Sequence, residues 1–115
     1  MALSTYNIAA EQGSNYLASI AYTDDDGDIV NLTGYTSRMQ VRKFAGSLNA
    51  ILSLTNTAGM TISASAGTIE LSISADALRL VPEGEYVYDL EIVSGSGVVT
   101  KLLQGTFDVD AEVTR

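Results

Sequence analysis

The chain has 115 residues, 46% of them hydrophobic and 17% charged, and its 14 acidic and 6 basic side chains give a formal net charge of −8. This length predicts a single domain over residues 1–115, and this composition excludes a chain that is disordered throughout. Because an acidic field repels a phosphate backbone, we expect no nucleic-acid partner.

The residue types that the sequence lacks narrow its chemistry further. There is no cysteine, so disulfides and thiolate metal sites are excluded. There is no histidine, which removes the commonest general base and the Ser-His and Cys-His catalytic pairs. We therefore expect no enzymatic activity, no bound metal and no cofactor.

The sequence shows no targeting or membrane segment. Residues 1–6 lack the charged and apolar regions of a signal peptide, and no apolar run approaches the roughly 20 residues of a membrane span. We expect a protein that is made in a reducing cytoplasm and has no membrane partner.

In the first half of the chain, apolar and polar residues alternate over short runs that end at turn residues, the pattern of half-buried strands. The first clear strand places its larger side chains on one face: Tyr16, Ala18, Ile20 and Tyr22. The aspartate-rich segment 24–28 follows, and its Asp-Gly step predicts a tight hairpin because glycine tolerates positive φ. Residues 36–44 then predict a strand with Met39 and Val41 on the buried face.

The second half predicts further strands at 51–54, 60–62, 69–73, 85–93 and 98–109. Ser74 is placed to cap the one helix-like piece, residues 74–78, which spans only one or two turns. Residues 84–88 are consistent with a tyrosine corner, in which a tyrosine hydroxyl ties a loop to the backbone. In the last strand Val99 and Lys101 fall on the apolar face, and the charge of Lys101 predicts exposure or a β-bulge at this end.

The spacing of these elements predicts the fold class. About eight strands, one every 8–12 residues or so, are the signature of a sandwich or barrel. We therefore expect an all-β chain, folded as an immunoglobulin-like antiparallel β-sandwich of about 7–9 strands with one short helical turn.

One group of acidic residues is a candidate metal site. Asp24, Asp26 and Asp28 have the spacing of the first EF-hand ligands, but Ile29 and Tyr35 stand where that loop needs glycine and glutamate. A solvated hairpin tip is one interpretation, and a Ca²⁺ site of another geometry is the alternative.

Paired carboxylates occur at Glu83 with Glu85 and at Asp89 with Glu91, each pair on one face of a strand. Glycosidase chemistry would need two such groups on either side of a sugar-binding cleft. Since the chain has no tryptophan to stack a sugar, we expect these carboxylates to lie on a solvated outer face.

Arg38, Gln40 and Arg42 form the polar face of one strand, and we predict that this face belongs to a protein interface. Phosphate binding is one interpretation of the two arginines, but the negative field of the whole chain opposes it. Pairing with acidic residues, on a neighbouring strand or on another subunit, fits the charge balance better.

The two ends of the chain are further candidates for an interface. Tyr6 and Ile8 alternate weakly within residues 4–11, and Val113 and Arg115 follow the last strand. Extended ends beside a sandwich are able to add a strand to a neighbouring chain. Ordinary frayed or edge-paired ends are the alternative.

Several segments resemble a family of small immunoglobulin-like virion proteins of tailed bacteriophages, and of cyanophages in particular. The segments are EQGS at 11–14, IVNLTGYTSRMQVR at 29–42, GTIEL at 67–71, PEGEYVYDLE at 82–91, LLQGTFDV at 102–109 and VTR at 113–115. The LTGY and YDLE blocks are similar to those of phage tail, baseplate and fibre-adaptor domains. The resemblance covers nearly the whole chain.

This resemblance implies a structural protein of the virion that assembles with other virion proteins, is oligomeric in the particle and has no catalytic residues. Within that class we favour a component of the tail, baseplate or fibre adaptor, with a capsid decoration protein as the alternative. A host-glycan-binding module is a further alternative, although six tyrosines and two phenylalanines offer few aromatic platforms.

Overall fold

The computed structural model describes residues 4–23 and 26–112, which form nine β-strands and one α-helix. In chain order the elements are β1 (Ser4–Thr5), β2 (Ile8–Glu11), β3 (Tyr16–Ala21), β4 (Thr36–Arg42), β5 (Leu52–Thr55), β6 (Met60–Ser63), β7 (Thr68–Ile73), α1 (Ala75–Arg79), β8 (Gly84–Val93) and β9 (Val99–Asp110). Within these ranges, no helix has the length and apolar character needed to cross a membrane.

The larger sheet has the strand order β1–β9–β8–β4–β5, and β2 also pairs with β9. The three pairings β9–β8, β8–β4 and β4–β5 are antiparallel, whereas β1 and β2 run parallel to β9. Ser4 lies opposite Leu103, and Ile8 lies opposite Phe107. The segment from β1 to β2 therefore completes one edge of this sheet within its own chain.

The smaller sheet has the order β3–β7–β6 and is antiparallel throughout. The strands of both sheets alternate between buried and exposed residues, and the inward side chains form one hydrophobic cluster. Its largest buried members come from both layers: Met39, Leu90, Ile92 and Phe107 from the larger sheet and Ile69, Leu71 and Ile73 from the smaller. The described residues thus form a two-layer β-sandwich around one core.

A β-bulge interrupts the pairing of β8 with β9. Leu90 lies opposite Leu103, but the next residue, Glu91, lies opposite Lys101, so that Leu102 is the extra residue on β9. Both Leu102 and Leu103 are buried, and Lys101 is turned to the outer face. The predicted bulge is confirmed.

The bulge also corrects one expectation for β9. Val99 is 49% exposed and does not share the buried face of Phe107. The reason is that one extra residue between them reverses the facing of every position on the far side of the bulge.

The predicted tyrosine corner is confirmed at the start of β8. The Tyr86 hydroxyl donates a hydrogen bond of 2.6 Å to the carbonyl oxygen of Pro82, four residues earlier. Tyr86 is buried, and the ammonium group of Lys43 lies 5.2 Å from the centre of its ring. The corner therefore ties the loop after α1 to the larger sheet.

The one helix in the described ranges is short, as expected. The side chain of Ser74 accepts a hydrogen bond from the N–H of Ala77 and so caps the first turn. Leu78 is fully buried and attaches the helix to the core. Because so short a helix is not stable alone, this packing holds it in place.

The aspartate-rich hairpin after β3 also forms. Thr23 and Ile29 make an antiparallel bridge, and Gly27 has the positive φ of 85° that the turn requires. Asp24 and Asp25 lie outside the described residues, so the suggested Ca²⁺ site there stays a prediction. Among residues 4–23 and 26–112, no cluster of three or more carboxylates is arranged to hold a metal ion.

Candidate interaction surface

The outward side of the larger sheet carries the three candidate residues of β4, Arg38, Gln40 and Arg42. Side chains alternate across a strand, so inward Met39 and Val41 on β4 leave their neighbours facing out. We define the polar face as the outward side chains of three adjacent strands: Arg38, Gln40 and Arg42 of β4, Asp89 and Glu91 of β8, and Lys101 and Gln104 of β9.

Two ion pairs cross the polar face. Arg38 Nε lies 2.8 Å from Glu91 Oε1, and Lys101 Nζ lies 3.4 Å from Asp89 Oδ2. Arg38 and Lys101 are about half exposed, so each pair contributes at most about 1 kcal/mol to stability. Arg38 therefore pairs with an acidic residue of a neighbouring strand, which is one of the two partners expected from the sequence.

Arg42 is held by the loop that follows it. Its Nη1 donates to the carbonyl oxygen of Ser47 at 2.8 Å, and its Nη2 donates to Gln40 Oε1 at 2.7 Å. These two bonds orient the guanidinium group along the sheet. The phosphate interpretation receives no support from this arrangement, because Arg42 is oriented by neutral acceptors and Arg38 faces a carboxylate.

An open depression of about 610 Å³ lies on the polar face, next to the segment that joins β1 to β2. Amide, hydroxyl and charged side chains line most of it, among them Asn7, Gln40, Arg42, Asp89, Gln104 and Thr106. Asn7 Oδ1 also accepts a hydrogen bond of 3.1 Å from the N–H of Thr106. The depression is thus a polar hollow between strands.

The two pairs of acidic residues lie on the outer face, as the strand pattern predicted. Asp89 and Glu91 are both on the outer face, and each has a basic partner on an adjacent strand. Glu83 and Glu85 are exposed at the beginning of β8. Their side chains face solvent, as the sequence predicted.

The two N-terminal candidates have different environments. Tyr6 is 46% exposed, and its main chain is fixed on both sides: its N–H donates to Gln104, and its carbonyl oxygen accepts from the Tyr88 hydroxyl. Ile8 is only 1% exposed. Its proposed role in an interface is wrong, because β2 already pairs with β9 and turns Ile8 into the core.

The C-terminal candidates, Val113 and Arg115, lie outside the described residues. The last described residue, Glu112, is anchored to the body of the sandwich. Its carboxylate pairs with Arg79 at 3.3 Å, and its N–H donates to the side chain of Gln12.

An apolar patch on the loop between β4 and β5 was not expected. Phe44 is 60% exposed, Leu48 is 95% exposed and Ile51 is 40% exposed; we define these three residues as the loop patch. The predicted strands at 36–44 and 51–54 include Phe44 and Ile51. The signal was available in Leu48, an apolar residue among Gly, Ser and Asn with no strand to bury it.

Three tyrosines come together where the N-terminal segment meets both sheets. Burial, with the nearby Tyr6 hydroxyl as a second cause, raises the pKa of Tyr16 to about 12. Burial and the other two tyrosines also raise the pKa of Tyr88 well above its usual value. Tyr88 packs edge-on against Phe107, with ring centres 6.4 Å apart. The cluster thus favours neutral tyrosines inside the fold.

No protein-family model matches the sequence, and no curated protein matches it. Among solved structures, the chain is similar to CopC from Methylosinus trichosporium OB3b, with a TM-score of 0.50 and 15% identity over 97% of this chain and 89% of that chain. It is also similar to a chicken TCR, with a TM-score of 0.60 and 14% identity. That match covers 97% of this chain and 56% of the TCR chain.

At these identities the likeness shows the fold alone. The chain is an immunoglobulin-like β-sandwich, as the strand pattern predicted. In the larger sheet β5 pairs with β4 and forms the edge. Variable-type immunoglobulin domains also carry an added strand at that edge.

Proposed function

We propose that this chain is a structural docking module of a tailed-bacteriophage virion, in the tail, the baseplate or a fibre adaptor. The observation that carries the docking role is the loop patch. Three large apolar side chains are exposed on this one loop, and exposed apolar side chains of this kind favour a protein contact site where they adjoin. The virion is proposed from the resemblance of the sequence segments.

The location of those segments supports the proposal. In the YDLE block, Tyr88 and Leu90 are buried, whereas Asp89 and Glu91 lie on the polar face. The resemblance therefore extends to outward residues, which the fold alone does not require.

The chemistry of the loop patch fits a protein partner. Burying a side chain the size of Leu48 or Phe44 contributes about 1.5–3 kcal/mol. Arg42 and Lys43 directly precede Phe44 in the chain, so positive charge adjoins the apolar side chains. An apolar centre with a charged rim is the usual composition of a protein interface.

Mass spectrometry of purified virions tests the proposal, by asking whether the chain is present and in how many copies. A low copy number that matches the symmetry of a tail or baseplate is expected. A copy number that matches the capsid subunits would instead support the capsid decoration protein. A chain absent from particles contradicts both.

Substitution of Leu48 tests the loop patch directly. In particles produced with Leu48→Asp, we expect at least about a tenfold loss of incorporation, because the aspartate would have to be buried against the partner. Leu80→Asp is the matched control, since Leu80 is 85% exposed and lies beyond α1. Equal incorporation of both variants would show that the patch is not the contact.

The depression on the polar face favours a second candidate, binding of a host glycan. Its amide and hydroxyl groups are of the kind that bind sugar hydroxyls. A glycan array with the folded chain tests this. Binding that is lost in Asp89→Ala and retained in Leu48→Asp would support the glycan and count against a purely structural role.

A further inference from the structure

The edge strand β3 of the smaller sheet is open on one side. β3 pairs with β7, and no other strand in the described residues pairs with its second side. Leu17 on this strand is 71% exposed, although it is a large apolar residue. The edge therefore offers a place for one more strand.

The register shows which main-chain groups face the open side. The N–H of Tyr22, just after β3, donates to the carbonyl oxygen of Gly67 at 2.8 Å, on the β7 side. Hydrogen-bonded positions alternate along an antiparallel pair, so the even-numbered residues of β3 bond to β7. The N–H and C=O groups that face the open side therefore belong to Leu17, Ser19 and Ala21.

The neighbouring strand gives the same assignment independently. Ser72 of β7 lies opposite Leu17, and its N–H donates to Gly59 on the far side of β7 at 2.8 Å. Leu17 and Ser72 are thus a pair without hydrogen bonds between them. The main-chain groups of Leu17 point away from β7.

β3 also differs from the other edge strands in the described residues. β2, β5 and β6 have four residues each and β1 has two, and such short edges resist pairing with another chain. β3 has six residues, YLASIA, with no charge, proline or glycine. Soluble proteins protect a long edge with charges, proline, a bulge or a covering segment, so an unprotected one indicates a strand with a partner.

We propose that β3 pairs antiparallel with β3 of a second copy of this chain. The two smaller sheets then become one continuous sheet in the order β6–β7–β3–β3–β7–β6. The proposal concerns a surface distinct from the loop patch and does not depend on membership of a virion.

One register satisfies both the hydrogen bonds and the side chains. With the two-fold axis at Ser19, the hydrogen-bonded pairs are Leu17 with Ala21, Ser19 with Ser19, and Ala21 with Leu17, so all the open main-chain groups are used. On the inner face Ala18 lies opposite Ile20. Leu17 and Ile20 thus each meet an alanine, one on the outer and one on the inner face, and the two serines are able to hydrogen-bond.

The charges favour a second copy over a charged peptide. β3 has no charge, so two copies bring no like charges into contact, and it offers an acidic or basic peptide no complementary group. The nearest outward acid across the ladder is Glu70 on β7, opposite Ser19. Two copies of Glu70 would lie three strand spacings apart, about 14 Å, which exceeds the Debye length of about 8 Å at physiological salt.

Sedimentation equilibrium over a concentration series, combined with amide hydrogen exchange, tests the proposal. We expect a 12.1 kDa monomer at low concentration and a species of twice that mass at high concentration. The amides of Leu17, Ser19 and Ala21 should become protected as the dimer forms. The dimer should tighten as salt is added, because each chain carries a net charge of −8.

Two substitutions at the proposed axis give the decisive comparison. Ser19→Pro removes an N–H that faces the open edge, and Ser19→Lys places like charges opposite each other; each should weaken the dimer by about tenfold or more. Thr61→Lys is the matched control, on the outer face of the opposite edge strand and in the same row. Circular dichroism checks that each variant is folded.

The remaining outcomes overturn the proposal. A chain that stays monomeric at high concentration, or a dimer that resists both Ser19 variants, shows that β3 does not pair with itself. Protection of the β3 amides that occurs only with a different protein would show that the strand accepts a foreign segment instead.

Discussion

At the scale of single residues, the hydroxyl of Tyr86 connects the loop after α1 to the larger sheet. Tyr86 is buried, and its one hydrogen bond goes to the Pro82 carbonyl oxygen. A hydrogen bond of this kind contributes about 0.5–1.5 kcal/mol to stability. The Tyr86 hydroxyl therefore contributes to stability by holding the loop after α1 against the larger sheet.

Replacing Tyr86 by phenylalanine should lower the free energy of unfolding by about 0.5–1.5 kcal/mol, because the hydrogen bond to the Pro82 carbonyl oxygen is lost. Urea unfolding followed by circular dichroism measures the change. Tyr35→Phe is the control, since Tyr35 lies directly before β4 and not at the start of β8. An equal loss in both variants would mean that the corner adds nothing specific.

The tyrosine cluster predicts sensitivity to alkaline pH. The pKa of Tyr16 is about 12 in the folded chain and 10.0 when unperturbed, so the unfolded chain loses its proton first. The stabilisation is complete below pH 10 and is lost as the pH rises towards 12. Urea midpoints measured across this range should fall, and they should fall less in Tyr16→Phe. The same slope in both proteins would contradict the assignment.

At the scale of elements, the close approach of β9 to the N-terminal segment depends on Gly105. A Cβ atom at this position would lie 2.4 Å from the carbonyl oxygen of Tyr6 and 2.9 Å from Asn7 Oδ1. The first of these is a backbone atom of Tyr6, whose carbonyl oxygen accepts from the Tyr88 hydroxyl and whose N–H donates to Gln104, so it has little freedom to move. β1 and β2 are thus able to pair with β9 only because residue 105 has no side chain.

Gly105→Ala should accordingly destabilise the chain by about 1–3 kcal/mol and raise amide exchange in β1 and β2. Gly46→Ala is the matched control, because the nearest atoms to its added Cβ are 3.8 Å away. Thermal unfolding and hydrogen exchange measure the two effects. Unchanged exchange at Tyr6 and Gln12, whose N–H groups donate to the Gln104 and Asp110 carbonyl oxygens of β9, would show that the segment tolerates the methyl group.

At the scale of the whole molecule, the two proposed surfaces belong to different layers. The loop patch follows β4 of the larger sheet, and the open edge is β3 of the smaller sheet. Pairing through β3 therefore leaves the loop patch free and produces a dimer with two copies of it. Such a dimer would bind a symmetric or repeated partner with higher avidity than one copy would.

Much of the fold could be predicted because its signals are local. Apolar residues at every second position mark β4, β7 and β8, and turn residues mark the ends of these strands. The misplaced charge of Lys101 predicted the bulge in β9 for the same reason. The candidate surface was predicted less completely. Arg38 and Arg42 share a face because side chains alternate along a strand. The loop patch was not predicted, because local pattern does not show which apolar residues remain uncovered by a neighbouring strand.

The sequence by itself determined the strands, the tyrosine corner and the lack of histidine and cysteine chemistry, since each depends on nearby residues or on composition alone. Only the tertiary structure decided that Ile8 lies in the core, that Arg38 meets Glu91, and that β3 is left with an open edge. The physical reason is that these outcomes depend on which distant strands become neighbours, and the alternation of residues along one strand carries no information about its partner.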